Sequence, residues 1–222
     1  MWPALILLLE LTLIYTAGSR VSSRILGWGL RGGGWRRMTA WVLLAPGTAI
    51  HETSHLILVL LLGGRVIRFA PFSPQMEADG RVQLGVVEHT QVHGGPVGGA
   101  LVGMAPLFGV PAALWASGML LPGGGGDPWH TLAAASHTPW GILWILVCMI
   151  VSLGALPSPS DHRDLPWALG LLTPVLVVLA LLNWLPSLHD LQPLLVWLCG
   201  LFLVPALIGV LGWVWPSHGR KY

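Results

Sequence analysis

Charged residues are scarce in this chain of 222 residues: they make up only 9% of it, whereas hydrophobic residues make up 54%. A soluble domain has about a quarter charged residues, because its surface faces water. Because such a small number of charges cannot cover a water-facing surface, the composition excludes an ordinary soluble protein and predicts an integral membrane protein. The formal net charge of +2 is also too small to indicate a nucleic-acid-binding protein.

Cysteine is scarce as well, with only Cys148 and Cys199. Both lie in apolar runs, where buried thiols that pack as small hydrophobic groups are expected in place of a disulfide. The first apolar run has neither a positively charged start nor a clear small-residue cleavage site, so it does not resemble a cleavable signal peptide. We expect it to be a membrane span.

The apolar runs predict five or six membrane-spanning helices, since each span needs about 20 mostly apolar residues. They lie near residues 2–17, 40–62, 96–121, 139–156, 165–185 and 191–215. Between the first two, residues 18–39 hold five of the eleven basic residues, which predicts a cytoplasmic loop. We therefore expect one all-α, multi-pass domain over residues 1–222 in the cell membrane. The sequence leaves open whether there are five or six spans, how they are oriented and what the oligomeric state is.

Residues 64–95 have a different pattern from the spans. The segments "RVIRF" and "RVQLGVV" are rich in β-branched residues, and both are too short to cross a bilayer. They flank Ala78-Asp79-Gly80, and an Asp-Gly pair between such segments favours a tight turn. The sequence predicts a small β-hairpin here, at the membrane surface or dipping into it.

The second predicted span contains His51-Glu52-Thr53-Ser54-His55, which matches the pattern H-E-x-x-H. On a helix, positions i and i+4 lie on one face, so both imidazoles can reach one zinc ion. Glu52 projects about 100° around the helix, where it can act as a general base toward a water activated by that ion. The pattern predicts a zinc site held by His51 and His55, with Glu52 as the catalytic carboxylate.

Chance is a poor explanation of the motif. At this chain's own frequencies of His and Glu, a match is expected in roughly 0.6% of sequences of this length. The match also falls inside a predicted span, where an ionisable group is costly and is functional by default.

A hydrolytic zinc site needs a third protein ligand and an open position for water. Acidic residues near the junctions between spans are candidates for this third ligand. The polar cluster around residues 88–93 is expected instead to be a solvated loop end or to support the metal ligands. Glu10, inside the first span, is expected to be an interfacial or packing residue. The acidic candidates for the third ligand are Asp161, Asp164 and Asp190, and the polar cluster is Glu88, His89 and His93.

Three stretches, in order, resemble the site-2-protease-like intramembrane zinc metalloproteases, in a compact form without an inserted soluble domain. "GTAIHETSHLILVLLLGGRVIRF" is similar to the motif helix of that family and the β-like segment after it. "GGALVGMAPLFGV" is similar to its span of small residues and proline near the site, and "LPSPSDHRDL" resembles a Pro-Ser-x-x-Asp element that supplies an acidic ligand in some compact members. The resemblance covers roughly residues 40–170.

The chain departs from the better-known family pattern, in which Asn-x-x-Pro is followed by Leu-Asp-Gly. No Leu-Asp-Gly occurs, and "NWLPSLHDL" offers Asn183, Pro186 and Asp190 with a spacing one residue short. The resemblance therefore favours Asp161 as the third zinc ligand, with Asp190 as the alternative.

The resemblance implies a zinc-dependent endopeptidase that cuts a peptide bond of a membrane protein or peptide within or next to the lipid bilayer. Two other classes remain open from the sequence. A metal-binding transporter would use the histidines along a permeation path, although the third and sixth spans carry no charged residue or histidine. A proteolytically idle scaffold would not need Glu52.

Overall fold

The computed structural model describes residues 2–76, 82–154 and 190–214, together with scattered positions between 166 and 179. The elements in chain order are α1 (Trp2–Arg31), α2 (Gly34–Leu61), β1 (Val66–Ala70), β2 (Gln75–Met76), β3 (Val82–Gln83), β4 (Val86–His89), α3 (Gly95–Gly118), α4 (Pro128–Ser136), α5 (Pro139–Gly154) and α6 (Gln192–Val214). The predicted helical class with a small β element is confirmed for this part of the chain.

Among the residues that the structure describes, three helices are long and apolar enough to cross a membrane: α2, α3 and the Gln192–Val210 part of α6. Shorter apolar helical stretches occur at Trp2–Ile14 and Pro139–Leu153. These helices support a helical membrane protein. The predicted span at 165–185 lies mostly outside the described residues.

The expected arginine-rich loop at residues 18–39 is largely helical instead. α1 continues through Arg20 and Arg24 to Arg31, because single glycines weaken a helix without ending it and no proline follows Pro3 within it. The helix ends where three glycines come together at 32–34. Gly33 has a φ of 61°, in the left-handed region that favours glycine, and α2 begins at the next residue. The loop prediction was wrong because charge shows where a chain meets water, and does not by itself break a helix.

α2 is the central helix and contacts α1, α3, α5, β1 and β4. On one side α1 lies along α6, where Ile14, Phe202 and Ala206 form a buried cluster. A second buried cluster joins α3, α5 and α6 through residues such as Val110, Cys148 and Val204. The motif helix thus packs against other elements on several sides.

The strands form two antiparallel pairs, β1 with β4 and β2 with β3, so the chain makes a nested hairpin as the sequence predicted. Residues 77–81, which include the Asp-Gly pair, lie outside the described residues. The hairpin is anchored where Val66 packs against the buried cluster of Val59, Val92 and Val102. This anchor ties the hairpin to the end of α2 and to α3.

Both cysteines are buried and free, as the sequence predicted. Glu10 is buried as well, with 5% of its surface exposed, and lies on the face of α1 that packs against α6. Its Oε2 has no hydrogen-bond partner among the described residues. Glu10 therefore belongs to the packing of two helices, and nothing places it with the motif.

Candidate metal centre

His51 and His55 lie one helical turn apart on the buried face of α2, with 6% and 8% of their surfaces exposed. Their Nε2 atoms are 3.1 Å apart, and the two rings meet edge to face with centroids separated by 4.8 Å. The i, i+4 spacing thus brings the two Nε2 atoms within hydrogen-bond distance of each other.

The other ring nitrogen of His55 is held by α3. Its Nδ1 lies 2.7 Å from the carbonyl oxygen of Val102, and both residues are buried. A carbonyl oxygen only accepts, so Nδ1 carries the proton and donates. In a neutral imidazole the Nε2 of His55 is then unprotonated, and its lone pair faces the Nε2 of His51.

The close approach of α3 to α2 depends on small residues. A Cβ atom on Gly109 would overlap the hydroxyl of Ser54, so only glycine lets the two helices meet there. The hydroxyls of Thr48, Thr53 and Ser54 each donate to the carbonyl oxygen four residues earlier in α2. These polar groups are therefore satisfied within the helix.

Glu52 is half-buried and lies under the connection between β3 and β4. A Cβ atom on Gly85 would stand 2.6 Å from Cγ and 3.0 Å from Oε1 of Glu52, and 3.0 Å from the carbonyl oxygen of Pro71. Any larger residue at 85 would need this contact to open. The hairpin backbone therefore covers the carboxylate directly.

An apolar groove of about 560 Å³ runs between α2 and α3. On α2 it is lined by residues such as Thr53, Ser54 and Ile57, and it includes neither histidine of the motif nor Glu52. The groove therefore lies on a different flank of α2 from His51, Glu52 and His55.

The two imidazoles fit a zinc ion. Two nitrogens bound to zinc at 2.0–2.1 Å in tetrahedral geometry lie roughly 3.3 Å apart, close to the observed 3.1 Å. The second nitrogen of a zinc-binding histidine usually donates to a carbonyl or carboxylate, and His55 donates in this way to Val102.

In the part of the chain that the structure describes, no third metal-ligating side chain joins the two histidines. Asp161 and Asp164 lie outside the described residues, and Asp190 is exposed in the turn before α6. In the described ranges, no group of three or more His, Cys, Asp or Glu side chains lies close enough together to hold a metal ion. The preference for Asp161 stays a prediction.

The polar cluster at the end of the hairpin is not helical, although His89 and His93 have helical spacing. His89 is in β4, and Glu88 forms an exposed ion pair at 3.7 Å with Arg68 on the neighbouring strand. The Nδ1 atom of His93 lies 2.6 Å from the carbonyl oxygen of Leu62, at the C-terminal end of α2. These contacts are those of a folded hairpin and its return to α3, which agrees with the expected structural role.

No protein-family model, curated protein or solved structure matches this chain. The resemblance to the site-2-protease-like enzymes therefore rests on the sequence motifs alone.

Proposed function

We propose that this protein is a zinc-dependent endopeptidase of the site-2-protease-like type, which hydrolyses peptide bonds of substrates in or beside the membrane. The observation that carries the proposal is the convergence of two buried imidazole Nε2 atoms, 3.1 Å apart, in an apolar helix. Glu52 follows the first histidine, as the H-E-x-x-H pattern requires. The fuller proposal is a multi-pass protein of the cell membrane with five or six spans.

In this mechanism His51, His55 and Asp161 would hold Zn²⁺. When bound, the metal would polarise the scissile carbonyl and make a water molecule more acidic. The Glu52 carboxylate accepts a proton from the attacking water and afterwards donates it to the leaving amine. Gly85 lies against one side of this side chain, where a Cβ atom would meet Cγ and Oε1 of Glu52.

A peptide must be extended at the scissile bond, because a helix keeps its carbonyl groups in its own hydrogen bonds. The hairpin offers edges for such a strand: β2 and β3 form a two-stranded sheet, and the loop after β3 touches Glu52. A substrate strand added to this sheet would reach the carboxylate, with main-chain hydrogen bonds providing the affinity.

The test uses the full-length protein in lipid vesicles, with a transmembrane peptide as substrate and a zinc-sensitive dye inside. Glu52→Gln is nearly isosteric and cannot take up the proton, so cleavage should fall by about 10²–10⁴-fold while the metal stays bound. Glu10→Gln is the matched control, because it makes the same change at a buried carboxylate in another helix, and should cleave normally.

The other outcomes of this assay distinguish between the alternative functions. Cleavage that survives Glu52→Gln would refute the assigned base. Zinc entry into the vesicles through the parent protein, without cleavage of any peptide, would favour the transporter. An intact zinc site with neither cleavage nor flux would favour the idle scaffold.

A further inference from the structure

Pro106 lies in the middle of α3 and is almost completely buried. Proline has no backbone N–H, so a proline inside a helix leaves the carbonyl group four residues earlier without its usual helical partner. For Pro106 that carbonyl belongs to Val102.

The Val102 carbonyl is the one that accepts from His55. Its oxygen lies 2.7 Å from Nδ1, across 47 residues of sequence. A buried carbonyl that has lost its helical partner is costly unless another donor replaces it, and the imidazole is that donor. One proline thus frees an acceptor where α3 passes the second histidine of the motif.

We propose that Pro106 is a positioning residue for His55. Because Pro106 has no N–H group to donate to the Val102 carbonyl, that oxygen remains available to accept a hydrogen bond from the imidazole. The imidazole is then held with the proton on Nδ1, and its Nε2 lone pair faces His51. The consequence for zinc rests on the proposed function, whereas the consequence for the tautomer of His55 does not.

α3 also supplies a matched control. Pro111 is buried in the same helix, and by the same rule it frees the carbonyl of Leu107. Leu107 packs against the cluster of Ile14, Phe202 and Ala206, which contains no motif residue. Pro106→Ala and Pro111→Ala both lose a buried ring and gain an N–H, but only Pro106→Ala supplies a competitor for the carbonyl at His55.

The experiment measures two quantities in the full-length protein, for the parent and both variants. The ¹⁵N chemical shifts of His55, recorded with and without a zinc chelator, report which ring nitrogen carries the proton. Competition with a chelator of known affinity reports zinc binding. We expect the Nδ1–H form in the parent and a mixture of tautomers in Pro106→Ala. Zinc affinity should fall about 10–100-fold in Pro106→Ala, as for other lost partners of metal ligands, and only a few-fold in Pro111→Ala.

A further variant separates the missing N–H from the missing ring. Lactic acid at position 106 has the same methyl side chain as alanine, but an ester oxygen replaces its N–H. It should keep the parent tautomer and affinity. Equal losses with alanine and lactic acid would mean that the proline acts only by packing, and would overturn the proposal.

The remaining outcomes also decide between the two proposals. The Nε2–H form of His55 in the parent would overturn the positioning role even if Pro106→Ala failed to fold. Unchanged tautomer and zinc affinity in Pro106→Ala, with a cleaving parent, would refute only the role of Pro106. A parent that binds no zinc, but whose His55 tautomer still depends on the N–H at 106, would refute only the proposed function.

Discussion

Replacing Gly85 by alanine would put a methyl group 2.6 Å from Cγ of Glu52 and 3.0 Å from its Oε1. Carbon atoms in contact normally lie about 3.5–4.0 Å apart. The carboxylate or the strand connection must therefore move by roughly 1 Å. A displacement of that size at a reacting group can lower the rate by about 10²-fold, which corresponds to about 2.7 kcal/mol in the activation barrier.

We accordingly expect Gly85→Ala to lower kcat for a transmembrane peptide by about 10²-fold and to leave the zinc content unchanged, since the three atoms nearest to a Cβ at residue 85 belong to Glu52 and Pro71 and not to a histidine. Gly34→Ala is the matched control: a Cβ atom there meets nothing within 4 Å, so cleavage should remain at the parent level. Parallel assays of cleavage and metal content make the measurement. Faster cleavage by Gly85→Ala would refute this reasoning, because the hairpin would then obstruct the carboxylate instead of positioning it.

Three further predictions address the third ligand and the helix contacts. Asp161→Ala should lower zinc affinity more than Asp164→Ala or Asp190→Ala in chelator competition; loss of the metal only in Asp190→Ala would show the choice to be wrong. Gly109→Ala should push α3 away from α2 and weaken zinc binding several-fold, because the helix that holds His55 moves; unchanged affinity would mean that the helices adjust. Glu10→Gln should leave thermal stability unchanged or raise it, because it removes a buried carboxylate with an unpartnered oxygen; a clear loss of stability in a melting assay would contradict this.

The sequence was sufficient for features that depend on local spacing. The pairing of His51 with His55 follows from the helical period, and the hairpin follows from short β-rich segments around an Asp-Gly pair. The helical spacing of His89 and His93 does not indicate a helix, because β4 belongs to a hairpin, where pairing with β1 decides the backbone conformation. A spacing rule holds only inside the element to which it applies.

Contacts between distant parts of the chain could not be predicted from the sequence. The roles of Gly85 and of the Val102 carbonyl depend on how the hairpin and α3 pack on α2, and periodicity does not specify that packing. The proline in "GGALVGMAPLFGV" was the available signal: a proline inside a predicted span indicates a free carbonyl four residues earlier. Its partner could be identified only from the tertiary structure.

The metal content of the purified full-length protein tests the central claim most directly. We expect about one zinc ion per chain in the parent and in Glu52→Gln, and none in the double variant His51→Ala, His55→Ala. Zinc at full occupancy in the double variant, or a parent that takes up no zinc when the metal is supplied, would contradict the proposed site.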